Sequence, residues 1–162
     1  MRVLKLLLIS LVVFSILVFL ISLLFPSQVR VSRAASIHAA EPGVLANLRD
    51  LRSWQHWNEM VQNPELTGVS VSPGQFQSDQ LQINLKDQEP VRLVWMKNGI
   101  TIEGGFNLIP STGETTIVQW YMDFPLKWYP WEKFGSIVFD KQIGPVMERS
   151  LEKFKKLTED SL

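Results

Sequence analysis

"VRLVWMKNGITIEGGFNLIPSTGETTIVQWYMDF", residues 91–124, is the stretch that decides the architecture. Asn98-Gly99 is the pair favoured in a two-residue type I′ turn, in which both central residues need positive φ. It joins two runs rich in β-branched and aromatic residues. STGE then turns the chain again, into TTIVQWYMDF. Along that run Val118, Trp120, Met122 and Phe124 share one face, while Ile117, Gln119, Tyr121 and Asp123 share the other. Consecutive hairpins make an antiparallel meander, not a βαβ sheet.

Working outward, LQINL places Leu81, Ile83 and Leu85 on one side of a further strand, with Gln82 and Asn84 on the other. Before it, NPELTGVSVSPG reads as a loop with room for a short strand. QVRVSRAASI alternates Val29, Val31, Arg33, Ala35 and Ile37, again a strand period. EPGVLANLRDL switches to helical spacing, with Val44, Leu48 and Leu51 on one face and Pro42 in the first turn. At the far end, from about Gln142 to Thr158, Ile143, Met147, Leu151, Phe154 and Leu157 recur at helical intervals. Glu148, Glu152, Lys155 and Lys156 fill the other side. Such a helix is roughly 25 Å long and can lie across a sheet of five or six strands. The pattern predicts an α+β domain, a curved antiparallel sheet wrapped on one long C-terminal helix.

Composition narrows the function. Sixteen Lys and Arg balance sixteen Asp and Glu, so no net field draws in nucleic acid. The chain has no cysteine and two histidines, which excludes disulfides, thiolate metal sites and a cysteine nucleophile. From Leu6 to Phe25 run 20 residues without a charge. As a helix they span roughly 30 Å, the hydrocarbon thickness of a bilayer. A cleaved signal peptide has a shorter apolar core, of about 7–15 residues, followed by a small-residue site. Here PSQVRV follows, without A-x-A, so the expectation is an uncleaved single-pass anchor over residues 1–26 and a domain over 27–162. Arg2, Lys5 and the amino terminus against Arg30 and Arg33 tip the charge balance slightly toward an internal N-terminus. That puts the domain on the outer side of the membrane.

Two segments carry a family resemblance. SIHAAEPGVLANLRDLRSWQHWN, 36–58, has a strand ending I-x-A at Ile37 and Ala39 and a proline-started helix with V-x-x-x-L-x-D at Val44, Leu48 and Asp50. W-x-x-W follows at Trp54 and Trp57. FDKQIGPVMERSLEKFKKLTE, 139–159, is a long terminal helix entered through a glycine. In order and spacing these resemble the SRPBCC (START-related, polyketide-cyclase-like) superfamily, roughly from Val29 to Glu159. A transmembrane segment directly before the first strand is also found in bacterial members, which implies the periplasmic side of a bacterial inner membrane. The resemblance implies the helix-grip fold, with a cavity between sheet and terminal helix. It places W-x-x-W where the small helices turn back beneath the sheet, as a hydrophobic plug with one indole bordering the cavity. The expected cavity wall is Trp57, Leu93, Trp95, Val118, Trp120 and Met122, facing Met147, Leu151 and Phe154 of the helix.

No nucleophile elbow, dinucleotide fingerprint, P-loop or H-E-x-x-H occurs, and no catalytic residue, metal site or cofactor is expected. His38 and His56 should face solvent. Glu103 is the one strand carboxylate that could point inward, where burial would raise its pKa. Gly104-Gly105 beside it reads as a bulge. Around Trp128, Tyr129, Trp131 and Phe134, aromatics with Lys127 and Lys133 suit either core packing or a membrane interface. The inward strand faces are wholly apolar, which favours a membrane-anchored module that binds a lipid or other hydrophobic small molecule. An enzyme of the cyclase, dehydratase or hydrolase kind would need polar groups converging in the same cavity. A protein-interaction module would need an exposed apolar patch and no cavity.

Overall fold

A computed structural model describes residues 2–24, 27–111, 114–127 and 138–160. The aromatic stretch 128–137 lies outside them. Helix α1 (Arg2–Ser22) has a mean hydropathy of 2.9, with none of its apolar window buried. It is long and apolar enough to cross a membrane.

The rest is one seven-stranded, wholly antiparallel, curved sheet with helices on its inner face. Its strands are β1 (Gln28–Ile37), β2 (Ser70–Ser72), β3 (Gln75–Gln77), β4 (Leu81–Gln88), β5 (Val91–Lys97), β6 (Ile100–Pro110) and β7 (Thr116–Pro125), in the order β1-β7-β6-β5-β4-β3-β2. The helices are α2 (Glu41–Arg49), a single turn α3 (Trp54–Trp57) and α4 (Phe139–Glu159). This is the helix-grip arrangement. The I′ turn forms as its sequence requires, with φ of 52° at Asn98 and 77° at Gly99. The strand missing from the sequence reading is β3. Only Phe76 in QFQ is apolar, and that one side chain is fully buried against Ile83 of β4.

The bulge is displaced from its expected place. Register between β5 and β6 runs unbroken through Gly104 and Gly105, and the break falls in β4, between Leu85 and Asp87. The two glycines instead permit close approach. A Cβ on Gly105 would overlap the Val91 carbonyl oxygen and come 2.9 Å from the Tyr121 hydroxyl. Glu103 points to the outer face, where it is exposed and 4.0 Å from Lys86. Strand alternation decides this, because Trp95 pairs with Ile102 and so sends the next β6 residue outward.

Candidate functional site

Rows of inward side chains cross the sheet, and their bulk changes from one end to the other. Toward the α2 end the face is packed with aromatic rings, beside a smaller cleft of about 170 Å³ between α2 and the β5–β6 face. Trp54 and Trp57, 5.0 Å apart, meet Phe106, Trp95, Trp120 and Phe154 with ring centroids 4.8–6.2 Å apart. All six rings are fully buried. Offset and edge-to-face rings of this kind fill space at crystal-like density.

At the other end, where β1 and β6 begin and β5 and β7 finish, the grip is open. A cleft of about 550 Å³ lies between sheet, α4 and the 58–66 loop. Its apolar wall includes Trp95, Ile102, Met122 and Phe124 from the strands and Ile143 and Val146 from α4. Glu59, Gln62, Asn63, Gln80, Lys97 and Lys153 supply its polar groups. The size falls in the usual range for small-molecule sites, about 300–1,000 Å³.

The helix leaves this gap because it is drawn toward the edge strand. Arg33 is the one charged residue on the inner face of β1. Its guanidinium bonds Asp140 (2.8 Å) and Glu148 (2.6 Å) of α4. Gly144 lies midway along that stripe of the helix, and a Cβ there would overlap the guanidinium. The missing side chain lets α4 seat on β1, so the faces of β4 to β6 at the open end receive less helix cover. On the opposite flank Glu59 fastens the 58–66 loop to α4. It accepts from Arg149 (2.8 Å) and pairs with Lys153 (3.1 Å), while its backbone N–H donates to the Ser150 hydroxyl (3.0 Å). Burial pushes the Glu59 carboxyl up, but the hydrogen bonds from Lys153 and Arg149 outweigh it and hold the group below its ordinary value. It is an ionised clamp, not a proton donor.

Of the nine side chains expected on the cavity wall, Trp95 and Met122 line the cleft. Trp57, Leu93, Val118, Trp120, Met147, Leu151 and Phe154 lie in the packed core instead, each at most 1% exposed. The face was read from strand alternation. What alternation could not give is how far α4 and the aromatic plug fill that face. Ile102, Phe124, Ile143 and Val146 were missed as wall residues for the same reason, although helical spacing already placed Ile143 on the apolar side of α4. His38 and His56 are exposed, His38 within 3.2 Å of the Thr115 hydroxyl. Among the described residues no cluster of three or more His, Asp or Glu could hold a metal. The Nε1–H of Trp54 donates to the Leu48 carbonyl (3.1 Å), whereas those of Trp57, Trp95 and Trp120 have no acceptor among the described residues.

No family model matches the chain, and no curated protein matches it by sequence. Solved structures do match by shape. A conserved protein from Geobacillus kaustophilus has a TM-score of 0.63 at 13% identity, over 82% of this chain and 97% of that one. A START superfamily protein from Mycobacterium smegmatis has 0.55 at 16% identity, over 82% and 99%. Norcoclaurine synthase from Thalictrum flavum, in complex with dopamine and hydroxybenzaldehyde, has 0.57 at 8% identity, over 82% and 87%. The sheet order and the single long terminal helix agree with those matches: this chain has the helix-grip fold, similar to that of the START superfamily protein.

Proposed function

We propose that this chain is a membrane-anchored binding module whose cleft holds the apolar part of a lipid or similar amphiphile. Residues 1–26 are the single-pass anchor in this reading, and 27–162 are the binding domain on the outer side of a bacterial inner membrane. The observation that carries it is the division of the cleft. Its apolar wall includes Trp95, Ile102 and Met122, all buried, with Val146 half-buried, and its ionised groups belong to Glu59 and to the exposed Lys97 and Lys153. A hydrocarbon gains about 25 cal/mol per Å² buried against such a wall, before ordering costs, and a charged headgroup can stay at the rim. Catalysis would need a base or acid free to exchange a proton, and the one carboxylate lining the cleft among the described residues, Glu59, is committed to Arg149 and Lys153. A protein-interaction module would have no use for an apolar cleft of about 550 Å³.

The test is uptake of a pyrene-labelled fatty acid by the full chain in detergent, with mass spectrometry of whatever copurifies. Saturable uptake and a copurifying amphiphile are expected. A cleft that takes up no probe and purifies empty overturns the reading.

A further inference from the structure

We infer that the β5–β6 hairpin tip and the cleft mouth beside it rest on the same bilayer that α1 spans, so that the cleft exchanges its occupant directly with that leaflet. This deepens the binding reading and rests on its membrane anchor. Three observations carry it.

The first is tether length. β1 starts at Gln28 and α1 ends at Ser22, a separation of at most about 20 Å for a fully extended chain. The sheet end that holds the first residue of β1 therefore stays within about 20 Å of the end of α1.

The second is register. Gln28 pairs with Pro125, and the Leu126 N–H donates to the Ser27 carbonyl at 2.9 Å. Glu103 pairs with Asp123, so β6 continued back to Ile100 stands level with Leu126. The turn Asn98-Gly99 thus sits at or beyond the height of Ser27. It is displaced sideways by two to three strand spacings, about 10–15 Å. The same end supplies the cleft wall: the ends of β5 and β7 (Trp95, Lys97, Met122 and Phe124) and the beginnings of β4 and β6 (Leu81, Ile102).

The third is what the tip presents. Ile100 is 55% exposed on a rigid two-residue turn, and Lys97 beside it is exposed with no acidic partner among the described residues. An exposed aliphatic side chain next to a free cation suits the boundary between acyl chains and phosphates. The turns at the opposite sheet end carry Glu114, which is exposed and which anionic lipid would repel, and Glu89, whose charge is already paired with Arg49 (3.2 Å).

The chain has no cysteine, so single labels are clean. Full-length Ile100→Cys and Ser111→Cys, the second at the far end of β6, are labelled with nitrobenzoxadiazole. Both are reconstituted in phosphatidylcholine–phosphatidylglycerol vesicles containing headgroup-nitroxide lipid. Emission at position 100 should be quenched at least twofold more than at 111. Equal quenching, or more at 111, overturns the inference, and so does a chain that fails to float with the vesicles. Transfer of pyrene-labelled phosphatidylglycerol from the same vesicles is followed in parallel, in the unlabelled wild type. Transfer without preferential quenching at 100 sinks the orientation and spares the binding reading. Quenching at 100 without transfer upholds the membrane-facing surface and sinks direct exchange together with that reading.

Discussion

The two halves of the inner sheet face have the same strands, the same alternation and the same covering helix, yet one is solid and the other hollow. In the solid half, α3 brings two indoles down onto Phe106 and Trp120, and Phe154 of α4 closes over Trp57 at 4.8 Å. In the hollow half, α4 offers Ile143 and Val146, and Arg33 with Gly144 seats the helix over the edge strand. Trp95 is the wall between them, touching Trp54 and Trp120 on one side and lining the cleft on the other. A site arises here where the filler stops, not where a special residue is inserted.

That contrast can be broken most forcefully from the solid side. Trp57→Ala should cost about 3–5 kcal/mol, the usual price of truncating a buried large aromatic. Met122→Ala, on the cleft side, should cost less, because its neighbours already border open space. Urea unfolding of the full chain in micelles measures both. Equal losses would mean the two halves are packed alike.

The second test reverses the emphasis. Val146→Asp puts a carboxylate on the cleft wall at a half-buried position. Fatty-acid probe affinity should fall at least tenfold, equivalent to about 1.4 kcal/mol, while the melting temperature changes little. Trp120→Asp should instead unfold the domain, since that site is fully buried and an unpaired charge there has no route to water. Similar behaviour of the two variants would erase the distinction between core and cleft.

The sequence made the sheet legible because period-2 alternation and the Asn98-Gly99 turn are local signals. The plug was legible too, since Trp54 and Trp57 sit one helical turn apart. The cleft was not, for two physical reasons. Whether Trp120 lines a cavity or is covered depends on the seating of α4, and that is set by a contact between residues 33 and 144, far apart in sequence. The second reason is that the clamp at Glu59 needs Arg149 and Lys153, which helical spacing shows only as solvated charges on α4. Gly104-Gly105 misled in a related way, because a glycine pair that admits Tyr121 and the Val91 carbonyl looks in sequence like a bulge.

Acid should open the hollow half before the solid one. The Glu59 carboxyl is held below its ordinary value of 4.5, so its stabilising contribution is complete above about that pH and lost as pH falls through the lower folded value. Between pH 5 and pH 3 the wild type should lose more stability than Glu59→Gln, whose clamp is already gone. Hydrogen exchange in the 58–62 segment should rise over the same window while the amides of β7 stay protected. Parallel pH profiles for the two proteins would show that Glu59 does not hold the loop.

The smallest expected effect is at Gly144, and its near-cancellation is what makes it informative. Alanine there gains up to about 1 kcal/mol of helix propensity over glycine. Its Cβ would displace the Arg33 guanidinium, which is the mobile end of a long side chain, so the backbone need not shift. What is lost is the pairing of Arg33 with Asp140 and Glu148, whose carboxylates are largely exposed, and each such pair is worth only about 0.2–1 kcal/mol. Gly144→Ala should therefore leave the melting temperature within a degree or two of wild type. The salt dependence should shrink, because screening weakens the Arg33 pairs only where they still form and the remaining ion pairs in both proteins alike. Between low salt and about 0.5 M, wild type should lose more stability than Gly144→Ala, by no more than the worth of the two Arg33 pairs. If α4 is seated by Arg33, releasing it should also loosen the grip and alter probe affinity in the cleft on the other side of the helix. A variant with normal salt dependence and normal affinity would show that Arg33 accommodates the new methyl group and that something else holds the helix over β1.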